Sequence, residues 1–327
     1  MPMHILLTGG AGFIGSHILE HIRTTRQDWR VSVLDRLNYA GSLDRLARYR
    51  ADDKVQFLFH DFRAAFSAGL LSKLGKVNVI IHAGAETHVD NSLEGPQVFV
   101  ESNVLGTFHM LEACRELKAD KFVFVSTDEV FGAAPTGIDY KEDAKYNPSN
   151  PYSATKAGAE CLCMAWQHCY QMPLLITRTM NNFGERQHIE KFVPKAIKAS
   201  LKGEPLPIHM QKKGNNISFS SRYWLHARNH ADAILFLIEQ GQSGMFHIVG
   251  VEKDILEMAE FIGGEKGTGR GMKTQHVDVH STRPGHDLRY ALDDSKLRKL
   301  GWNPPVDFED SLSKTIKWTL ENKVWLG

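Results

Sequence analysis

The sequence is short of several things, and each shortage removes a class of function. It has four cysteines in 327 residues: Cys114, Cys161, Cys163 and Cys169. They fall in stretches with helical patterning, three of them close together, without the second matched pair that a zinc site needs. They read as small buried apolar residues, and as reduced thiols of a cytoplasmic protein. No long uncharged apolar run is present, which excludes a membrane-spanning helix. The opening MPMHILLTGG lacks a basic region followed by a cleavage site, so it reads as a strand entering a turn rather than a secretion signal. Neither sign of charge is in excess. The 39 Lys and Arg against 38 Asp and Glu leave a formal net charge of +1, which implies no nucleic-acid partner. The glycine-rich run Gly263 to Gly271 lacks the closing Gly-Lys-Ser/Thr of a phosphate loop and reads as a flexible connector. No repeat or low-complexity tract stands out. What remains, 42% hydrophobic and 24% charged, is the composition of a globular enzyme-sized chain.

The first half alternates short apolar strands with amphipathic helices, the pattern of a parallel doubly wound sheet. His4 to Leu7 is a strand, and Ser16 to about Thr24 is a helix. Between them, Gly10, Gly12 and Gly15 match G-x-G-x-x-G, while Gly9, Gly12 and Gly15 match G-x-x-G-x-x-G. Either set allows a tight turn and close approach of backbone to a pyrophosphate, which the following helix N-terminus attracts. A second strand, Val31 to Leu34, ends in Asp35, about twenty positions after Gly15, where a carboxylate accepts from the adenosine ribose hydroxyls. An acid there favours NAD over NADP, and Arg36 beside it weakens that preference a little. Val55 to Phe59 leads to Asp61, which suits either the adenine amino group or a helix cap. Val77 to His82 leads to the small residues Ala83 and Ala85, which permit close passage over a cofactor. Ser102 to Leu117 reads as a helix.

The stretch Lys121 to Gly132, KFVFVSTDEVFG, reads as a short buried strand, Phe122 to Val125, that ends abruptly in Ser126, Thr127, Asp128 and Glu129. In an open α/β sheet, ligands sit just beyond such a carboxyl end. After two prolines, Tyr152 and Lys156 stand at i and i+4 of a long helix. An ammonium near the phenol lowers its pKa and prepares it to take a proton from a sugar hydroxyl.

The segments TGGAGFIGSH, SLDRL, HAGAETHVDNS, NVLGT, STDEVFG, YSATKA, NNFGERQHIEKF and RPGHDLRYALD resemble the nucleotide-sugar branch of the extended short-chain dehydrogenases/reductases, and within it the dTDP-glucose 4,6-dehydratases. They run from Thr8 to Asp293, nearly the whole chain. The resemblance implies a Rossmann-type α/β domain over residues 1–180. A smaller α/β nucleotide-sugar domain over 181–327 follows, with crossings back into the first. It implies NAD held by Gly9, Gly12, Phe13, Ile14, Gly15, Asp35, Asn38, Gly41, Asp61, Ala83, Ala85, Tyr152 and Lys156. Tyr152 would take the C4 hydroxyl proton with Thr127 as its hydroxyl anchor. Glu129 would remove the C5 proton, and Asp128 would protonate the departing C6 hydroxyl. Substrate contacts would come from Thr87, His88, Asn182, Lys191, Arg222, His247, Arg283 and His286. No metal is implied, and a homodimer is expected through the helices Ser102–Leu117 and Tyr152–Tyr170.

The pattern breaks at the nucleotide end. Arg-Asp-Trp becomes Arg222-Tyr223-Trp224, an asparagine becomes His247, and Met210 to Ser221 is longer than the usual glycine turn. That insertion reads as a surface hairpin or as a changed lid over the base. Thymidine is the expected base, with uridine its competitor. A nucleotide-sugar 4-epimerase or decarboxylase would use the same Tyr152, Lys156 and NAD, and a silent NAD-binding regulator would need neither Asp128 nor Glu129.

Overall fold

Seven of the apolar strands close into one parallel sheet. The structure, a computed structural model, describes residues 3–213, 216–278 and 287–327. In chain order the strands are β1 (His4–Thr8), β2 (Arg30–Asp35), β3 (Val55–Phe59), β4 (Val79–His82), β5 (Lys121–Thr127), β6 (Leu174–Thr179), β7 (Asn181–Phe183), β8 (Leu206–Lys213), β9 (Asn216–Phe219), β10 (Ser221–His226), β11 (Gly244–Ile248), β12 (Val251–Asp254) and β13 (Thr274–Asp278). The large sheet runs β11-β6-β5-β4-β1-β2-β3, every neighbour parallel. Strand order reverses between β4 and β1, which opens a crevice beyond their carboxyl ends.

Both faces of this sheet are covered, so its central strands are apolar on both sides. On one face Ile5, Leu7, Val33 and Ile81 pack with Ile18, Leu19 and Ile22 of the helix Phe13–Thr25 and with Leu235 and Ile238 of the helix Ala227–Glu239. On the other, Leu6, Ile80, Phe122 and Phe124 pack with Met110 and Leu111 of the helix Gly106–Leu117 and with Ala159 and Cys163 of the helix Pro151–Tyr170. The period-2 division of neighbours such as Leu6 and Leu7 between two cores is what a doubly wound sheet requires.

The chain after residue 180 divides. Its helix Ala227–Glu239 and strand β11 return to the large sheet. The remainder forms two three-stranded sheets, β12-β10-β7 and β13-β8-β9, with the helices Phe192–Lys202, Ile255–Gly263 and Phe308–Glu321 over a third core. Within the stretch 210–221, Met210 to Lys213 of β8 pair antiparallel with Asn216 to Phe219 of β9, and none of the described residues of this stretch lines the cleft.

Several expectations need correction. The helix expected from Ser102 begins as Pro96–Phe99, passes through one π-helical turn at Val100–Leu105, and continues from Gly106. The amphipathic pattern from Lys253 to Ile262 reads as one helix, but Lys253 belongs to β12, paired with Arg222 of β10, and the helix starts only after Asp254, whose carboxylate accepts from Leu256 N and Glu257 N. Gly263–Gly271 is no loose connector, since Gly271 N donates to Gly263 O and Thr268 N to Ile262 O. Cys114 and Cys163 are buried, but Cys161 and Cys169 are exposed. Among the described residues no helix is long and apolar enough to cross a membrane.

Beneath the end of β5 lies a buried ion pair. Arg178 of β6 donates to Glu160 through Nε and Nη2 (2.7 Å), and both side chains are almost wholly out of water. Tyr146 Oη donates to the same carboxylate at 2.8 Å, and the guanidinium lies 4.6 Å from the Phe131 ring. Glu160→Gln leaves Arg178 an uncompensated buried charge and is expected to cost about 3–5 kcal/mol in urea unfolding. An Arg178→Met, Glu160→Leu double variant should lose less than the single one, and an equal or greater loss would show that the pair is not the source of the effect.

Candidate active site

The cleft follows from where the parallel strands stop. It runs without interruption from the glycine turn after β1, past the ends of β4 and β5, to Arg222, Trp224 and Tyr290. At the turn, Gly9 has φ +68°, and a Cβ there would stand 2.6 Å from Gly84 Cα. A Cβ on Gly15 would meet Gly9 O at 2.1 Å. Gly10 serves a different purpose, packing against Val33 of β2, and only Gly9, Gly12 and Gly15 of the four line the cleft. The following helix starts at Gly12 with no side-chain cap and no acid in its first turn. Its unpaired N–H groups and positive end, with Phe13 and Ile14, therefore face the cleft and suit a pyrophosphate.

Asp35 stitches this turn together. Its carboxylate accepts from Ala11 N at 2.9 Å and from Leu37 N at 2.8 Å. Asn38 lines the same wall and donates to Glu86 at 2.8 Å, and Gly41, Ala83, Ala85, Thr87 and His88 line it too. Asp61 does not. Arg63 holds its carboxylate from Nη2 at 2.6 Å and from its backbone N at 3.0 Å, and it is the neighbouring Phe62 that reaches the cleft.

Thr127, Asp128, Glu129, Tyr152 and Lys156 all line the cleft at the end of β5. Thr127 Oγ1 caps a 3-10 turn over Asp128–Phe131 by accepting from Glu129 N, and it donates to Asp128 Oδ1 at 3.0 Å. Burial, reinforced by the neighbouring Glu129 charge, pushes the Asp128 carboxyl up to about 7. Burial raises Glu129 as well, but Asn150 Nδ2 donates to its Oε2 at 3.3 Å, and Arg222 and Lys191 favour its charged form. The two acids thus sit side by side in unlike surroundings.

The Tyr152–Lys156 pair differs from expectation. Burial and the charge of Glu129 push the Tyr152 phenol up, against a hydrogen bond with Thr127 that pulls it down. Lys156 Nζ donates to Val125 O at 2.7 Å and lies 4.0 Å from the centre of the Phe124 ring, rather than reaching the phenol. Its own pKa falls to about 8 through burial.

At the nucleotide-sugar end the sequence-derived residues separate. Lys191 lines the cleft as the N-cap of the helix Phe192–Lys202. Arg222 lines it too, but Nη1 donates to Ser221 O and Leu288 O, and Nη2 to Asp287 O, which leaves two of its five N–H groups for a ligand. Asn182 gives both amide hydrogens away, to Thr179 Oγ1 at 3.0 Å and Met180 O at 2.8 Å. Those bonds occupy both amide hydrogens that the expected phosphate contact would use, although Asn182 lines the cleft; Asn181, beside it in the lining, has no such engagement among the described residues. His247 is also displaced. It lies buried on β11, its ring nitrogens taken by Arg178 Nη1 (3.3 Å) and Asp293 O (3.0 Å), away from the cleft. Arg283 and His286 fall outside the described residues.

The sequence profile described as GDP-mannose 4,6 dehydratase matches residues 6–315. The chain belongs to this dehydratase family. It is 36% identical over 352 residues to a dTDP-glucose 4,6-dehydratase of Escherichia coli, covering 99% of this chain and 94% of that one. It is also 36% identical over 331 residues to the trifunctional UDP-glucose 4,6-dehydratase/UDP-4-keto-6-deoxy-D-glucose 3,5-epimerase/UDP-4-keto-L-rhamnose-reductase of Arabidopsis thaliana, but spans about half of that protein (48%). A dTDP-glucose 4,6-dehydratase of Streptomyces venezuelae, solved with NAD bound, superposes with a TM-score of 0.87 at 37% identity over 99% of this chain and 98% of that one.

Sequence reasoning missed several lining or supporting residues of this dehydratase-family cleft. Asn150 carried a readable signal, a cap before Pro151, but nothing showed that its amide also reaches Glu129. Tyr290, Glu86 and Asn181 gave no local signal, because their place depends on strands distant in sequence. The unlike surroundings of the two acids predict that Asp128 titrates with a midpoint near 7 by infrared difference spectroscopy of isotope-labelled aspartate. Glu129→Gln removes the neighbouring charge and should lower that midpoint. An unmoved or raised midpoint would refute the coupling.

Proposed function

We propose that the protein is an NAD-dependent nucleotide-sugar 4,6-dehydratase. It converts a nucleoside-diphosphate hexose, dTDP-glucose by preference, into the 4-keto-6-deoxy sugar. The observation that carries this reading is the adjacent pair at the end of β5 beside Tyr152, Asp128 buried and Glu129 half-buried, held in different environments. An epimerase or a silent dinucleotide binder has no use for such a pair.

The glycine cradle and the uncapped helix fit a dinucleotide pyrophosphate, and Asp35 stands at the ribose end. NAD, when bound, supplies an acceptor for the C4 hydride, returns that hydride to C6, and brings a positive charge to the cleft. Tyr152 receives the C4 hydroxyl proton, with Thr127 as its hydrogen-bond partner. Burial and the Glu129 charge favour the protonated phenol, so Tyr152 acts as a base with the help of the positive charge that NAD brings. With the 4-ketone formed, the C5 proton is acidic. Glu129, whose carboxyl burial raises while Asn150, Arg222 and Lys191 draw it back toward the charged form, takes it. Asp128, still protonated near neutrality, gives its proton to the departing C6 hydroxyl. Arg222, Lys191 and Asn181 have donors for the diphosphate. We assign this chemistry to the cytoplasm, and to a homodimer joined through the helices Gly106–Leu117 and Pro151–Tyr170.

Asp128→Asn with Glu129→Gln should allow C4 oxidation but block water loss, so that absorbance of reduced nicotinamide accumulates on the enzyme when dTDP-glucose is added. Full turnover by the double variant would defeat the assignment. Product mass after separate incubation with dTDP-glucose, UDP-glucose, UDP-N-acetylglucosamine and GDP-mannose identifies the base and distinguishes dehydration from epimerisation. In the wild type, kcat/KM should fall as pH rises through about 7, because Asp128 then loses the proton it must donate. A flat profile from pH 6 to 8.5 would count against Asp128 as the acid.

A further inference from the structure

The rim of the cleft beyond Asp35 carries a charge arrangement that the dehydration steps do not use. Arg36 directly follows the acid that ends β2, the region where a phosphate on the adenosine 2′-oxygen would seek a cation. Its guanidinium is already engaged. Nη2 donates to Glu86 Oε1 and lies 3.4 Å from Ser102 Oγ, while Nη1 is 3.6 Å from Asp61 Oδ2. Arg63 claims Asp61 more closely, through Nε at 2.9 Å and Nη2 at 2.6 Å, so Glu86 is the principal counter-ion of Arg36.

Glu86 is held in place from several directions. It lines the cleft yet is only 6% exposed. Its Oε1 also accepts from Asn38 Nδ2 at 2.8 Å. Its backbone is clasped by the Asn103 amide, which accepts from Glu86 N at 2.9 Å and donates to Glu86 O at 3.0 Å. Asn103 sits in the π-helical turn and also donates to Thr155 Oγ1 at 3.0 Å, on the helix that bears Tyr152 and Lys156. Asp35, the other acid at this end, already accepts one backbone N–H on each oxygen.

We propose that Glu86 is a cofactor-specificity residue: by holding Arg36 in an ion pair it denies the guanidinium beside Asp35 to a 2′-phosphate, and so excludes NADP. The proposal rests on the reading of the cleft as an NAD site. A 2′-phosphate brings further negative charge to a rim where Asp35 and Glu86 already stand, and its natural partner there is committed elsewhere. Asp35 alone does not then account for the selectivity. Glu86 acts through Arg36, without needing to touch the dinucleotide.

The test measures which dinucleotide is retained rather than turnover. Purified wild type, Glu86→Gln, Arg36→Gln and the double variant are each incubated with an equimolar excess of NAD and NADP and desalted. The retained dinucleotide is quantified by mass spectrometry, and melting temperature is read with each one separately. Glu86→Gln should move the retained NADP-to-NAD ratio toward NADP by about ten-fold or more, the equivalent of ~1.4 kcal/mol. Adding Arg36→Gln should abolish that gain. Arg36→Gln alone should leave the ratio at its wild-type value, and Glu86→Ala, with the same expected gain, replaces Glu86→Gln should that variant fail to fold. An unchanged ratio in folded Glu86→Gln, a gain that survives loss of Arg36, or a fall in NADP retention on Arg36→Gln alone would each overturn the proposal. Retention of neither dinucleotide by the wild type, with no melting shift, would instead overturn the cofactor reading on which it rests.

Discussion

Two carboxyl groups placed side by side, one buried and one half-buried, cannot both be ionised without cost, and the catalytic end of this molecule is arranged around that constraint. The backbone makes Asp128 and Glu129 neighbours by bending β5 directly into a 3-10 turn. What lies around them decides which one keeps its proton. Asp128 receives a hydroxyl from Thr127 but is closed in by the sheet, whereas Glu129 is turned toward Asn150 and the cationic wall of Arg222 and Lys191. Under the turn, Phe131 rests on the Arg178 guanidinium, itself neutralised by Glu160. Each layer limits the freedom of the layer above, which is how two similar side chains can be given opposite work.

Much of this was legible before any coordinates, and the legible parts share a property: they are local. A strand, a glycine turn and a helix follow one another within a few residues, so His4 to Thr25 could be read directly. Tyr152 and Lys156 share a helix face by spacing alone. The choice between two glycine registers could not be read, because it turns on Gly84 and Val33, contributed by other strands. The sequence also points to a lysine that acidifies the tyrosine. The structure shows the lysine bonded to Val125 O instead, a partner that no spacing rule identifies.

The nucleotide-sugar end was read less well for the same reason. Asn182 and Asn181 are adjacent in sequence, and motif reasoning chose Asn182. Its amide turns out to be spent on Thr179 and Met180. His247 looked like a cleft residue because a family position suggested it, yet β11 pairs with β6 and buries the ring against Arg178 and Phe131. In both cases residue identity was clear and hydrogen-bond occupancy was not. Occupancy is a three-dimensional property, and it decides whether a polar side chain is available to a ligand.

The seventh strand of the large sheet, β11, carries a consequence for how the molecule is made. Strands β7 to β10 lie in the chain between β6 and the strand that covers the edge of β6. As the chain leaves the ribosome, the dinucleotide-binding half therefore emerges with β6 unpaired along one side, and it stays so until residue 248 has been synthesised. An apolar parallel strand with an open edge is a template for pairing with other chains. The interval between synthesis of β6 and of β11 is thus the stretch of translation in which this protein most needs protection from its own neighbours on the polysome.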